Sequence, residues 1–255
     1  MNNNAREIIL REENEFPKLF TSFVERDYGI LYYNTDEKDS HDSNHSIILP
    51  NKITDLGAVL EDIKHFYAEL GYKETSIYHP FVPKYFTNNL SIFEKHGFSV
   101  HIEESRRMMI LIEENMLARY NRLRIERLSE WDERILTDIL APDGKNYEQS
   151  VLKNSLRHPN FYLFVGYISD KAVVEVNFHI SQHGCTRFDH IVTAPDERGK
   201  GYAREIMCYV SNFCRENRFP LCYQWPDNGT SERITTQAGF RYMFDIESGY
   251  AVCKV

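Results

Sequence analysis

The spacing of apolar and polar residues predicts alternating helices and strands in the first half of the chain. Between 54 and 70 apolar residues recur at helical spacing, with Thr54 as the N-cap and Gly71 just after the last turn. The polar stretch 35–45 predicts a loop. The predicted elements of this half are helices at 13–26, 54–70 and 90–98, and strands at 29–34, 45–49, 75–79 and 105–113.

The second half repeats this order of elements. In each half a long amphipathic helix is followed by a strand, by a short helix that ends at Gly97-Phe98 or Gly239-Phe240, and by a terminal strand. We therefore predict an α/β (α+β) fold with two similar mixed-sheet domains, at residues 1–115 and 120–255. The predicted elements of the second half are helices at 131–141, 146–157, 201–217 and 231–240, and strands at 161–168, 171–180, 186–192, 220–225 and 248–255.

Charge and cysteine content narrow the classes of function. The formal net charge is −8 and the basic residues are scattered among more numerous acids, so we expect no nucleic-acid partner. We expect no membrane partner, because no apolar run approaches membrane-spanning length and the N-terminus lacks an apolar signal core. Five cysteines without CxxC spacing favour a reducing cytoplasm. His41 and His45 lack further metal ligands in sequence, so we predict no metal site.

The segment from Asp189 to Met207 carries the chemistry. It reads as a strand, a proline-containing turn, a glycine-rich bend and a helix. Backbone N–H groups at such a helix start have no intrahelical partner, and the helix dipole favours an anion there. Gly199 and Gly201 let the backbone approach a pyrophosphate closely, and Arg198 and Lys200 add positive charge. A glycine turn that only starts a helix is the alternative interpretation; the glycine patterns of Rossmann and P-loop proteins are absent.

This segment resembles the acetyl-CoA-binding motif of the GNAT acetyltransferases, Q/R-x-x-G-x-G/A. Arg198 fills the first position, Gly201 the fourth and Ala203 the sixth, and the order of elements over about 120–255 is similar to that of the family. The resemblance implies two GNAT-like domains, acetyl-CoA as co-substrate, and direct attack of an amine on the thioester. The cofactor-binding residues that it implies are Ile191, Val192, Thr193, Arg198, Gly199, Lys200, Gly201, Tyr202, Ala203 and Asn228.

A protonated amine is no nucleophile, so the reaction needs a base. Strand alternation places Glu175, Asn177 and His179 on one face, and Arg187, Asp189, Ile191 and Thr193 on one face of the next strand. Because bases in this family often lie on these strands, Glu175 and Asp189 are the candidate catalytic residues. The alternatives are a solvated strand face for Glu175 and an ion pair with Arg187 for Asp189.

The chain departs from the family pattern at Thr235, where many members carry a tyrosine that protonates the leaving thiolate. A threonine hydroxyl is a poor proton donor, so Tyr202, Tyr242 or unaided departure of the thiolate are the alternatives. The N-terminal half has no paired glycines at 49–54 and is predicted to be a degenerate copy that binds no CoA.

The expected function is therefore acyl-CoA-dependent N-acylation of a primary amine of a small molecule or peptide. A non-catalytic acyl-CoA-binding or interaction protein is the alternative from another class. An aminoacyl-transferase that uses charged tRNA is a third possibility, which the net acidity and the intact CoA loop disfavour. The sequence leaves the acceptor and the oligomeric state, including a homodimer, open.

Overall fold

The computed structural model describes residues 3–112 and 115–255, and these form two compact units. The first unit comprises residues 1–13 and 107–244, and the second comprises residues 14–106 and 245–255. The last segment, 245–255, belongs to the second unit because Tyr250–Lys254 pairs antiparallel with the strand Glu74–Tyr78. Both units are mixed sheets with flanking helices, which confirms the predicted fold class.

The first unit is built on a mixed sheet. Its central members are the hairpin β7 (Phe161–Ile168) and β8 (Lys171–Ile180), followed by β9 (Thr186–Thr193), which pairs antiparallel with β8. β6 (Arg124–Leu128) lies outside β7; on the other side, β10 (Cys222–Gln224) pairs parallel with β9 and antiparallel with the end of β5 (Ser99–Leu111). Its helices are α1 (Asn3–Glu15), α4 (Glu148–Ser155), α5 (Tyr202–Glu216) and α6 (Gly229–Gln237).

Helix α5 covers one face of this sheet with an apolar stripe. Ile206, Met207 and Val210 are fully buried against strand residues that include Val176 and Phe178. The opposite face of β8 is covered by a π-helical segment, Ile135–Leu140. Burial on both faces leaves the polar residues of β8 inside the protein, where they need partners.

The second unit packs α2 (Leu56–Glu69) and α3 (Tyr85–Lys95) on a sheet. Its strands are β1 (Ser22–Arg26), β2 (Gly29–Tyr33), β3 (Ser46–Ile48), β4 (Glu74–Tyr78) and the C-terminal part of β11 (Phe240–Lys254). The side chain of Asp55 caps α2 by accepting a hydrogen bond from the Ala58 N–H at 3.1 Å, so the cap is Asp55 rather than Thr54. Gly71 follows the helix at φ +73°, as predicted.

The sequence predictions for residues 13–26 and for the start of the last strand are wrong. The helix predicted at 13–26 ends at Glu15, because Pro17 cannot continue it, and Ser22–Arg26 is a strand. The last strand begins at Phe240 rather than 248, because apolar and polar residues already alternate from Phe240 to Glu247.

Candidate active site

The predicted pyrophosphate loop joins β9 to α5. Gly199 and Gly201 adopt φ values of +79° and +83°, a left-handed conformation that strongly favours glycine. Gly201 is the N-cap of α5, and its side-chain-free backbone leaves the helix start without a side-chain cap. Among the described residues, no hydrogen bond is donated by the backbone N–H of Gly199, Lys200 or Gly201. The loop thus presents unpaired N–H groups at the positive end of a helix.

Acidic neighbours pair the cations of this loop. The guanidinium of Arg198 contacts Asp143 and donates to the Thr193 carbonyl at 3.2 Å. Lys200 Nζ lies 2.6 Å from Glu197 Oε2. Both cations are about half exposed, so they can exchange these partners for a phosphate at little cost.

Arg122, which the sequence did not point to, stabilises the loop by side-chain hydrogen bonds. The guanidinium of Arg122 donates to the carbonyls of Lys200 and Gly201 at 2.7 and 3.3 Å. The buried carboxylate of Glu205 accepts from Arg122 Nε at 2.8 Å and from the backbone N–H groups of Arg122 and Leu123 at 2.9 Å. Since the two loop carbonyls are tied to Arg122, the loop conformation is fixed before any ligand binds.

Strand β9 separates from its neighbour on the way to the loop. Only Thr186 and Arg187 pair with β10, which ends at Gln224. Within the described residues, the edge of β9 from Ile191 to Thr193 therefore has no strand partner on the β10 side. Free backbone groups of this kind accept an extended, amide-containing chain as an added strand.

A β-bulge at Asp189 reorders the side chains of β9. Asn177 is opposite His190 whereas Phe178 is opposite Phe188, so Asp189 is an extra residue in β9. The predicted alternation is wrong beyond this point: Ile191 packs against the apolar core. His190 instead shares the face of Glu175 and bonds to it. Strand alternation in the sequence did not predict that His190 lies on the face of Glu175, because the bulge shifts the alternation.

Glu175, His190 and Glu148 form a line of contacts. Glu175 is fully buried, which rules out the solvated strand face, and its Oε1 lies 2.7 Å from His190 Nδ1. On the other side of the ring, His190 Nε2 lies 2.9 Å from Glu148 Oε2 and 3.2 Å from Lys145 Nζ. Burial raises the pKa of Glu175. Burial alone would lower the pKa of His190, but the two carboxylates outweigh it and raise that pKa to about 10.

The model of the acetyltransferase (GNAT) family matches residues 125–240, which include β8, the bulged β9, the loop and α5. Residues 125–240 belong to the GNAT family. Comparison with curated proteins gives no match.

Solved structures extend the likeness of fold beyond the GNAT domain. A GCN5-related N-acetyltransferase from Kribbella flavida is similar with a TM-score of 0.66 and 14% identity, over 99% of this chain and 96% of that one. A conserved protein of unknown function from Staphylococcus epidermidis gives 0.65 and 14%, over 92% and 95%. A tandem GNAT protein from the clavulanic acid biosynthesis pathway gives 0.55 and 8%, over 82% and 75%. The tandem GNAT arrangement predicted from the repeated order of elements agrees with these folds.

The second candidate base of the GNAT domain, Asp189, is held in an ion pair. Its carboxylate contacts the Arg187 guanidinium, whose Nε lies 2.7 Å from the buried Glu13 Oε1 on α1. Burial raises the pKa of Asp189, but Arg187 outweighs it and lowers that pKa overall. A carboxylate with a lowered pKa is the weaker of the two bases.

Two further predicted positions have structural partners. Asn228 is the N-cap of α6, and its side-chain oxygen accepts from the N–H groups of Thr230 and Ser231 at 3.0 Å. The hydroxyl of the fully buried Thr235 donates to the Ser231 carbonyl at 2.8 Å and contacts Gln224 Nε2. The Thr235 proton is therefore engaged in the helix.

The described residues contain no helix with the length and apolarity needed to cross a membrane.

Proposed function

We propose that this chain is an acyl-CoA-dependent N-acyltransferase that transfers an acetyl group from acetyl-CoA to a primary amine of a small molecule or peptide. The observation that carries the proposal is the placement of Glu175 on β8 directly opposite Val192, which belongs to the β9 segment whose other edge has no strand partner among the described residues. A free strand edge and the loop follow one another along β9, and the buried carboxylate lies on the neighbouring strand β8.

The residues of the loop and of β9 divide the binding of acetyl-CoA between them. The N–H groups of the loop, with Arg198 and Lys200, bind the pyrophosphate. Tyr202 and Ala203 are the first two residues of α5, which follows the loop. The main chain of Ile191, Val192 and Thr193 pairs with the pantetheine arm, and Asn228 lies beside it. A backbone N–H on this edge polarises the thioester carbonyl, which stabilises the oxyanion that forms during attack.

We assign the general base to Glu175 rather than Asp189. Its Oε2 is buried and has no hydrogen-bond partner among the described residues, so this oxygen has a lone pair available for a proton. The side chain of Asn177, on the same face of β8, is also fully buried without a partner there. Because a buried polar group without a hydrogen-bond partner costs free energy, a polar acceptor that donates and accepts hydrogen bonds fits this face.

Thiol release from acetyl-CoA over a panel of primary amines and peptides tests the proposal, with mass spectrometry of the amide product. Glu175→Gln is expected to lower the transfer rate about 10²-fold or more while acetyl-CoA still binds. The matched control is Glu126→Gln, an exposed glutamate on β6 of the same unit, which should keep the parent rate. Equal rates for the two variants would contradict the role of Glu175.

A non-catalytic acyl-CoA-binding protein is the second candidate, and the engaged hydroxyl of Thr235 favours it. Calorimetric binding of acetyl-CoA without thiol release for any amine of the panel would select this candidate. In either case we assign the cytoplasm as the location, because all five cysteines are unpaired, as in a reducing compartment.

A further inference from the structure

Glu175 poses a problem for any base mechanism, because its side chain is completely buried. While the acceptor occupies the site, a carboxylate that takes a proton in such a place cannot pass it to water directly. The inference that follows rests on the proposed function, since it concerns where the proton from the acceptor amine goes.

The contacts of His190 connect Glu175 to the surface. Glu175 Oε1 and His190 Nδ1 are 2.7 Å apart, and His190 Nε2 and Glu148 Oε2 are 2.9 Å apart. The Glu148 side chain is 16% exposed and therefore reaches solvent. The line runs from the inside of the sheet to the start of α4, and each gap is a hydrogen-bond length.

Glu148 and Lys145 together give His190 Nε2 a hydrogen-bond partner in each protonation state of the ring. When the ring is charged, Nε2–H donates to Glu148. When the ring is neutral at Nε2, that nitrogen accepts from Lys145 Nζ at 3.2 Å. Lys145 Nζ also lies 3.4 Å from Glu148 Oε1, so it follows either state without moving far. A static ion pair needs one such partner, whereas a group that gains and loses a proton needs both.

We propose that His190 and Glu148 are positioning residues that let the buried Glu175 take the acceptor's proton, because His190 releases a compensating proton through Glu148 to solvent in the same step. The ammonium nitrogen of the acceptor loses two protons when it becomes an amide, as the C–N bond forms and the C–S bond of the thioester breaks. One proton goes to the thiolate sulfur. The other enters at Glu175 while His190 releases its Nε2 proton through Glu148 to water, so the buried pair keeps the same total charge. When the product has left, Glu175 gives its proton to water in the emptied site and His190 takes one back from water through Glu148, so that one proton per turnover reaches solvent.

The surrounding charges set the direction of the pH dependence. His190⁺ opposes the effect of burial on Glu175, so its loss raises the pKa of Glu175 and moves the acidic limb of kcat to higher pH. The charged groups that face His190 are Glu175 on β8, Glu148 and Lys145 beside α4, and Asp189 on its own strand, itself paired with Arg187.

The test measures kcat against pH for the full chain and for His190→Gln, with acetyl-CoA and an accepted amine. We expect kcat at pH 7 to fall at least tenfold, the acidic limb to move upward, and the KM for acetyl-CoA to change less than twofold. Added imidazole should restore part of the rate of His190→Ala. The partly exposed Glu148→Gln, which does not perturb the core, should lower kcat without rescue by imidazole.

His179→Gln is the matched control, since His179 is buried on the neighbouring strand β8 and likewise pairs with a glutamate, Glu12, at 2.5 Å. It should keep the parent's pH profile even if it lowers stability. A parent-like pH profile of His190→Gln without an imidazole response overturns the relay alone. A parent that binds acetyl-CoA but acylates no amine overturns the proposed function and the relay together. Nitrogen NMR of His190 adds an arm without turnover: an unchanged titration in Glu175→Gln also overturns the relay.

Discussion

Replacement of Gly201 by alanine is the most direct perturbation of the predicted acetyl-CoA site. Gly201 has φ +83°, where an L-residue costs about 1–2 kcal/mol. An added Cβ would lie 3.4 Å from Arg122 Nη2, an ordinary contact, so the cost is conformational rather than steric. The loop conformation that presents its N–H groups then becomes less populated by about 5–30-fold. We expect the Kd for acetyl-CoA to rise by the same factor, and Gly201→Val to abolish binding.

Titration calorimetry with acetyl-CoA measures this effect, and urea denaturation measures stability. Gly184→Ala is the matched control: Gly184 has φ +84° and no atom within 4 Å of an added Cβ, but it lies at the other end of β9. It should lose the same 1–2 kcal/mol of stability with an unchanged Kd. The reasoning is refuted if Gly201→Ala binds within twofold of the parent, or if Gly184→Ala weakens binding equally.

Four further predictions concern other parts of the chain. Thr235→Val should lower single-turnover thiol release less than about tenfold, or roughly 1.4 kcal/mol, because its hydroxyl proton is already engaged; a hundredfold loss with intact folding would contradict this. Titration calorimetry should give one acetyl-CoA per chain, because a carboxylate caps α2 where the loop at 49–54 would need a phosphate; a value near two refutes it. Glu13→Ala should lower the free energy of unfolding by about 3 kcal/mol, since it leaves Arg187 buried with one partner fewer; urea denaturation beside the exposed Glu7→Ala checks it. Burial lowers the pKa of His45 to about 4, so the free energy of unfolding should fall by about 2–3 kcal/mol as the pH falls from 6.5 to 4.5. His45→Gln should remove that loss in urea denaturation.

The sign of the His45 prediction follows from its two states. The unfolded chain binds a proton near pH 6.5, whereas the folded chain resists it until about pH 4. Stability from this group is therefore constant above pH 6.5 and decreases below it. An equal acid loss in the parent and in His45→Gln would assign the effect to other groups.

Local sequence signals determined much of the fold. The apolar spacing of α2 and α5 and the turn between β7 and β8 predicted these elements nearly to their ends. The loop at 198–203 was also readable, because its glycines and the following helix act through backbone geometry that neighbouring residues set.

Contacts between distant residues decided the rest. A bulge arises from the pairing of β8 with β9, so only the tertiary structure places His190 beside Glu175 and turns Ile191 into the core. Arg122 and Glu205 are 83 positions apart in sequence, and Glu13 and Arg187 are 174 apart. Periodicity reports which side of an element faces inward, but it carries no information on which element lies there. The sequence therefore predicted the loop itself. It could not predict that Arg122 and Glu205 fix the loop, or that His190 contacts Glu175.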